Sequence, residues 1–96
     1  MMQDPMESRI QRELKDSRVV VFMKGTPAQP RCAFSASAAE KLKQAGVAYK
    51  SVDILSDPAL RDGVRRYTKY MHFPQIFMDG RFVGTTEQLS RVLSQK

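Results

Sequence analysis

The sequence predicts one α/β domain over residues 1–96, a four-stranded mixed sheet flanked by helices in the order αβαβαββα. Three observations predict it. Val19-Val20-Val21-Phe22-Met23 is an unbroken β-branched and aromatic run, the character of a strand buried on both faces. An alanine-rich stretch without helix breakers follows after a Gly/Pro loop and leads into an alternating segment, so the first half reads as a parallel β-α-β unit with a right-handed crossover. Asp79-Gly80 separates two short apolar runs, a hairpin with a two-residue turn.

Each element has its own local reason. Asp4-Pro5 with Glu7 reads as an N-cap, a first-turn proline and an acid three residues after the cap, and Met6, Ile10 and Leu14 share one face, so residues 5–16 form the first helix. Strand 18–23 follows. Residues 24–31, with one Gly and two Pro, are loop. The second helix runs from Cys32 to Ala45 and stops at Gly46. Residues 47–54 alternate as a strand. Asp57-Pro58 caps a third helix reaching about Tyr70, with Gly63 as a weak point inside it. The hairpin strands cover 75–78 and 81–83, and residues 87–94 close the chain as a short helix with Leu89, Val92 and Leu93 inward.

Composition narrows the function classes. The net charge of +6 arises from 16 Lys and Arg against 10 Asp and Glu, which favours anionic partners. The basic residues are scattered, with Arg65-Arg66 the one adjacent pair, so no nucleic-acid partner is expected. No apolar run approaches membrane-helix length, so no membrane partner is expected, and the first residues carry acids rather than an apolar or Arg-rich leader, so a signal or transit segment is expected to be either absent or already removed. A single cysteine rules out an internal disulfide and fits a reducing intracellular compartment.

That cysteine, Cys32, falls where strand 1, after a loop, meets the start of helix 2. Unpaired helical N–H groups and the helix dipole stabilise an anion there, and a thiolate so placed titrates below the ~8.5 of a free thiol. Lys24 and Arg31 add positive potential. The lone histidine, His72, stands some forty residues on and reads as a loop residue beside Phe73-Pro74, not as a catalytic base. One thiol cannot run an internal dithiol cycle, so its partner sulfur comes from a small thiol or another protein.

Lys24-Gly25-Thr26-Pro27, Pro30 and Cys32-Ala33-Phe34-Ser35 resemble the monothiol glutaredoxins, with their K-G-[ST]-P-x-x-P-x-C-G-F-S pattern. The likeness continues through Val52-Asp53-Ile54-Leu55, Asp57-Pro58, Arg61, Tyr67, Phe73-Pro74-Gln75, Asp79-Gly80 and Val83-Gly84, essentially the whole chain. It implies a thioredoxin-like fold and a site for glutathione or a related low-molecular-weight thiol. By that resemblance Cys32 is both catalytic thiol and metal ligand. Lys24 and Arg61, assisted by Arg65, take the glycine carboxylate. Phe73 pairs its backbone with the ligand before a cis Pro74, and Thr86 and Glu87 receive the γ-glutamyl end. It further implies a labile 2Fe–2S cluster. A cluster wants four thiolates, and one cysteine plus one glutathione per chain gives two, so a cluster-bound homodimer follows, with a monomer otherwise. Iron–sulfur recipient proteins would be the partners, in the mitochondrial matrix or the cytoplasm.

Four positions depart from the family pattern. Ala33 replaces the glycine after the cysteine, Tyr70-Met71-His72 replaces Trp-Pro-Thr, Gly84-Thr85 replaces Gly-Gly, and Thr86-Glu87 replaces Cys-Asp. Each alters the ligand path. Three readings stay open: a cluster carrier, a monothiol thiol–disulfide oxidoreductase that removes glutathione from substrates, and a non-catalytic adaptor.

Overall fold

The computed structural model describes residues 4–93, in the order α1 (Pro5–Lys15), β1 (Val19–Met23), α2 (Ala33–Ala45), β2 (Lys50–Asp53), α3 (Pro58–Thr68), β3 (Gln75–Met78), β4 (Arg81–Gly84) and α4 (Thr86–Leu93). Ser94, expected as the end of the closing helix, lies outside the described residues. The strands form one sheet in the order β2-β1-β3-β4, β1 parallel to β2 and antiparallel to β3, as the β-α-β and hairpin patterns predict.

All five residues of β1 are buried, because helices cover both faces. On one face Val20, Phe22 and Phe77 pack with Ile10, Leu14, Leu60 and Val64 from α1 and α3. On the other Val19, Val21, Met23 and Ile76 pack with Ala38, Leu42 and Leu89 from α2 and α4. The period-2 alternation of β1 thus feeds two cores at once, which is why its sequence shows no polar face. Phe22 and Phe77 meet edge to face at 5.5 Å.

The boundaries follow local chemistry. Asp4 caps α1 by accepting from the Met6 amide at 3.0 Å and also binds the Arg66 guanidinium of α3. Gly46 ends α2 at φ +69°, with the Val47 amide bonded back to the Leu42 carbonyl at 3.1 Å. That bond absorbs the chain after the helix. The second strand therefore begins at Lys50, not at Val47: its partner β1 begins at Val19, and Val20 already pairs with Lys50. The third helix stops at Thr68, earlier than expected, with Lys69 in the left-handed region at φ +64°. Asp79 and Gly80 both have positive φ, as a tight hairpin turn requires.

Gly63 is a contact rather than a weakness. It is buried in α3, and a Cβ there would lie 2.5 Å from the Met6 Cβ, so its missing side chain lets α1 and α3 pack closely. Gly63→Ala should lower stability by about 1–2 kcal/mol, the overpacking cost outweighing a helix-propensity gain of about 1 kcal/mol. Urea unfolding checks this, a higher midpoint being the contrary result. The Arg66 hydrogen bond, with the Met6 amide, lowers the Asp4 carboxyl to about 2 from 3.8. Its stabilisation is complete above the unfolded value and is lost as pH falls through about 2. Asp4→Asn should therefore flatten the acid limb of the stability–pH curve between those values.

Candidate functional site

The chain leaves β1 at Met23 and returns to helix at Ala33 through a loop closed on itself. The Arg31 amide bonds the Lys24 carbonyl at 2.8 Å, and Thr26 and Gln29 exchange backbone bonds at 3.2 and 3.1 Å. Gly25, at φ +88°, accepts no side chain, since a Cβ would come within 2.4 Å of the Gln29 carbonyl oxygen. Its amide donates to Asp53 Oδ1 on β2 at 3.0 Å, and the same oxygen takes the Leu55 amide at 2.9 Å. Two sheet strands therefore anchor the loop, which is as stiff as its two prolines predict.

Cys32 does not open the helix as a helical residue. It is the N-cap itself, in extended backbone, with Sγ accepting from the Ser35 amide at 3.4 Å. Ser35 is fully buried. Its Oγ takes the Lys24 amide at 3.1 Å and lies 3.3 Å from the Cys32 sulfur. With one lone pair held by the Lys24 N–H, the hydroxyl is oriented to give its proton to a thiolate. Partial burial pushes the thiol up, but the Ser35 hydroxyl, the Ser35 and Phe34 amides and the Lys24 charge together carry it below its ordinary value. Arg31 contributes its backbone bond rather than its charge. Ser35 is the main residue the sequence reading left without a role. Its signal was spacing, a hydroxyl three residues after a cysteine cap.

Beside Cys32 runs a groove of about 750 Å³, within the size of small-molecule sites. It brings together Lys24, Cys32, Phe73, Pro74, Thr86 and Glu87, six of the eight positions given a ligand role from the resemblance, Arg61 and Arg65 being the other two. Phe73-Pro74 is a cis peptide. Arg61 is not in the groove wall: its guanidinium lies on Asp62, at 3.0 and 3.4 Å. Arg65 binds the Met71 carbonyl at 2.9 Å and stacks over the Phe73 ring at 5.5 Å, shaping the wall from behind. Gln75 does the same from β3, its amide nitrogen donating to the Tyr70 and His72 carbonyls at 2.9 and 3.0 Å. The structure also puts His72 in the groove wall, edge-on to Tyr70 at 5.6 Å.

The closing helix starts at Thr86, and its cap is Thr85, whose carbonyl accepts the Leu89 amide at 2.9 Å. Gln88 reaches back so that Oε1 accepts from the Thr85 amide at 3.0 Å and the Thr85 hydroxyl at 2.7 Å. Thr-x-x-Gln was the legible sign of this cap. Gly84, at φ +134°, makes room for it, since a Cβ would meet the Gln88 side chain at 2.7 Å. Thr86 donates to the Phe34 carbonyl at 2.9 Å, tying α4 to the turn that holds the cysteine. Ala33 is exposed at the first turn of α2.

The protein-family model described as Glutaredoxin matches residues 19–83. The chain belongs to the glutaredoxin family. With one cysteine it is of the monothiol kind, and curated relatives carry that name. Monothiol glutaredoxin-S11 of Oryza sativa subsp. japonica is 40% identical over 81 residues, 84% of this chain but 16% of that protein. The uncharacterized monothiol glutaredoxin ycf64-like of Synechocystis sp. is 33% identical over 81 residues, covering 84% of this chain and 76% of its own length. Besides that 16% of S11, the chain spans 42% and 17% of two further relatives, so it corresponds to a fraction of those longer proteins. Among solved structures, a monomeric truncated mutant of Trypanosoma brucei 1-C-Grx1 superimposes with TM-score 0.81 at 31% identity, over 95% of this chain and 83% of that one. The thioredoxin-like fold expected from the resemblance is the fold observed.

The geometry sets a measurable expectation for Cys32. Its alkylation rate should rise with pH around a midpoint below that of a free thiol. Ser35→Ala should move that midpoint up by about one pH unit, the loss of one hydrogen bond to a charged acceptor. Iodoacetamide kinetics across pH 5–10 make the check, and an unmoved midpoint would show that the hydroxyl does not stabilise the thiolate.

Proposed function

We propose that this glutaredoxin binds glutathione in the groove beside Cys32, bridges a labile 2Fe–2S cluster between two copies of the chain, and hands it to iron–sulfur recipient proteins. The observation that carries the reading is a single stabilised thiolate at the end of a groove sized for a peptide thiol. Among the described residues no group of three or more His, Cys, Asp or Glu side chains stands close enough to hold a metal ion. One chain thus offers the cluster one sulfur. Two chains and two glutathione thiols supply four, half of them exchangeable, which suits delivery rather than permanent storage. Phe34, which lines the groove near the cysteine, is 69% exposed, and Met71, between the lining residues Tyr70 and His72 in sequence, is 57% exposed, apolar surface that a second copy would cover.

Glutathione fits as the companion thiol on charge grounds. Lys24 lines the groove together with Thr86 and Glu87, the first residues of α4, whose first-turn N–H groups suit a second anionic group. The reading keeps Arg61 as a second cation for the glycine carboxylate, which requires it to exchange Asp62 for the ligand. Among the described residues no helix is long and apolar enough to cross a membrane. Rice monothiol glutaredoxin-S4 and zebrafish glutaredoxin-related protein 5 are named as mitochondrial. A reducing compartment of that kind, or the cytoplasm, suits a partly exposed reactive thiolate.

The same thiolate supports a second reading. It can attack the glutathione sulfur of a protein–glutathione disulfide, forming a Cys32–glutathione disulfide and releasing the protein thiolate. A second glutathione thiolate then regenerates Cys32 and leaves as glutathione disulfide. The lowered pKa of Cys32 favours the first step, as attacking group and as leaving group in the second.

Anaerobic reconstitution with iron, sulfide and glutathione should give a coloured dimer from the wild type and a colourless monomer from Cys32→Ser. A colourless wild-type monomer that turns over a glutathionylated substrate would establish the second reading instead.

A further inference from the structure

The groove does not end at the start of α4. Phe34, Ser37 and Lys41 of α2 all line it, spaced i, i+3 and i+7, so they share one helix face. Glu87 and Ser90 of α4 line it opposite. At a rise of 1.5 Å per residue Lys41 lies about 13 Å along α2 from Cys32, and helical side chains lean back toward the N-terminus, bringing its ammonium toward the middle of the groove. Lys41 is half-buried. Among the described residues neither Lys41 nor Glu87 makes an ion pair, with each other or with any other side chain.

A cation and an anion thus face one ligand groove without neutralising each other. A simple anion placed there would meet Glu87, and a simple cation would meet Lys41. A group carrying both charges on one carbon suits the pair. We propose that Lys41 is a specificity-determining residue that, with Glu87, reads the zwitterionic α-amino-acid head of a peptide thiol, Lys41 taking the carboxylate and Glu87 the ammonium. The proposal rests on the glutathione reading above and sharpens it. Glutathione carries an ammonium and a carboxylate together only at its glutamyl end, so the pair also sets the direction in which the tripeptide lies, glycine end toward Lys24. Lys41 supplements the backbone N–H groups of α4 with a full charge.

The test uses S-methylglutathione, whose blocked sulfur removes disulfide and cluster chemistry, and an analogue in which the glutamyl α-carboxylate is replaced by hydrogen. Binding is followed by amide chemical-shift titration of the full chain. Lys41→Gln should weaken S-methylglutathione about fivefold, the scale of one partly exposed charge pair, and leave the analogue's affinity unchanged. Lys41→Arg should keep the discrimination, and added salt should erode it. Equal losses for both ligands, or no loss for either, overturn the proposal while leaving glutathione binding intact. If the wild type fails to bind S-methylglutathione at all, the glutathione reading falls and this inference with it.

Discussion

The Ser35 hydroxyl is the joint on which the site depends. It is completely buried, takes the amide of Lys24 where β1 ends, and stands within bonding distance of the Cys32 sulfur where α2 begins. A free hydroxyl beside a thiolate would rotate among several acceptors. This one has its acceptor side occupied by the sheet, so its proton points at the sulfur and costs no reorganisation when the thiol ionises. Asp53 performs the matching task from β2, holding the Gly25 amide, the next one along the same loop. The rigidity of the sheet is thereby passed to the one reactive atom. This also explains why the approach to Cys32 is built from prolines and closed turns although it lies on the surface.

Much of this was legible in residue order, and the reasons for the exceptions are physical. The buried β1 run, the Asp79-Gly80 turn and the caps at Asp4, Gly46 and Asp57 express short-range rules, so they read directly from sequence. Strand β2 came out shorter because its length is set by its neighbour, a long-range fact. The end of α3 had no glycine to announce it. Gln75 and Arg65 fold the segment at 70–72 back by binding its carbonyls, and a buried glutamine's reach cannot be seen in spacing. In the site, Cys32 at a helix start was readable because capping is local. Arg61 was not, because whether a guanidinium turns to a groove or to the adjacent Asp62 is decided by side-chain rotamers. His72 and Lys41 entered the wall through topology alone.

The positive balance of the chain also gains an internal explanation. Many of its cations are committed to structure: Arg9 to Asp57, Arg66 to Asp4, Lys50 to Glu13 and Asp16, Arg61 and Arg65 to Asp62. Most of these join α1, α3 and the β2 side, on the face of the sheet away from α2 and α4. Lys24 and Lys41, which face the groove, take no part in them. Part of the scattered basic composition is thus tied up in ion pairs behind the sheet, while the two lysines that line the groove stay out of those pairs.

The helix ends show the same sorting. The starts of α1, α2 and α3 are each closed by a side chain from their own cap: Asp4 on the Met6 amide, Cys32 on the Ser35 amide, Asp57 on the Leu60 amide. At α4 the Thr85 hydroxyl instead gives its proton to Gln88, whose oxygen also holds the Thr85 amide. The cap is therefore satisfied without Thr85 spending its oxygen on the first-turn amides, which have no carbonyl to receive them within an α-helix. Two helices facing one groove thus present opposite needs: α2 supplies an anion to its own amides, and α4 leaves its amides to an anion from outside. A ligand carrying both a thiol and a carboxylate meets the two together, and the Thr86 bond to the Phe34 carbonyl keeps their spacing constant.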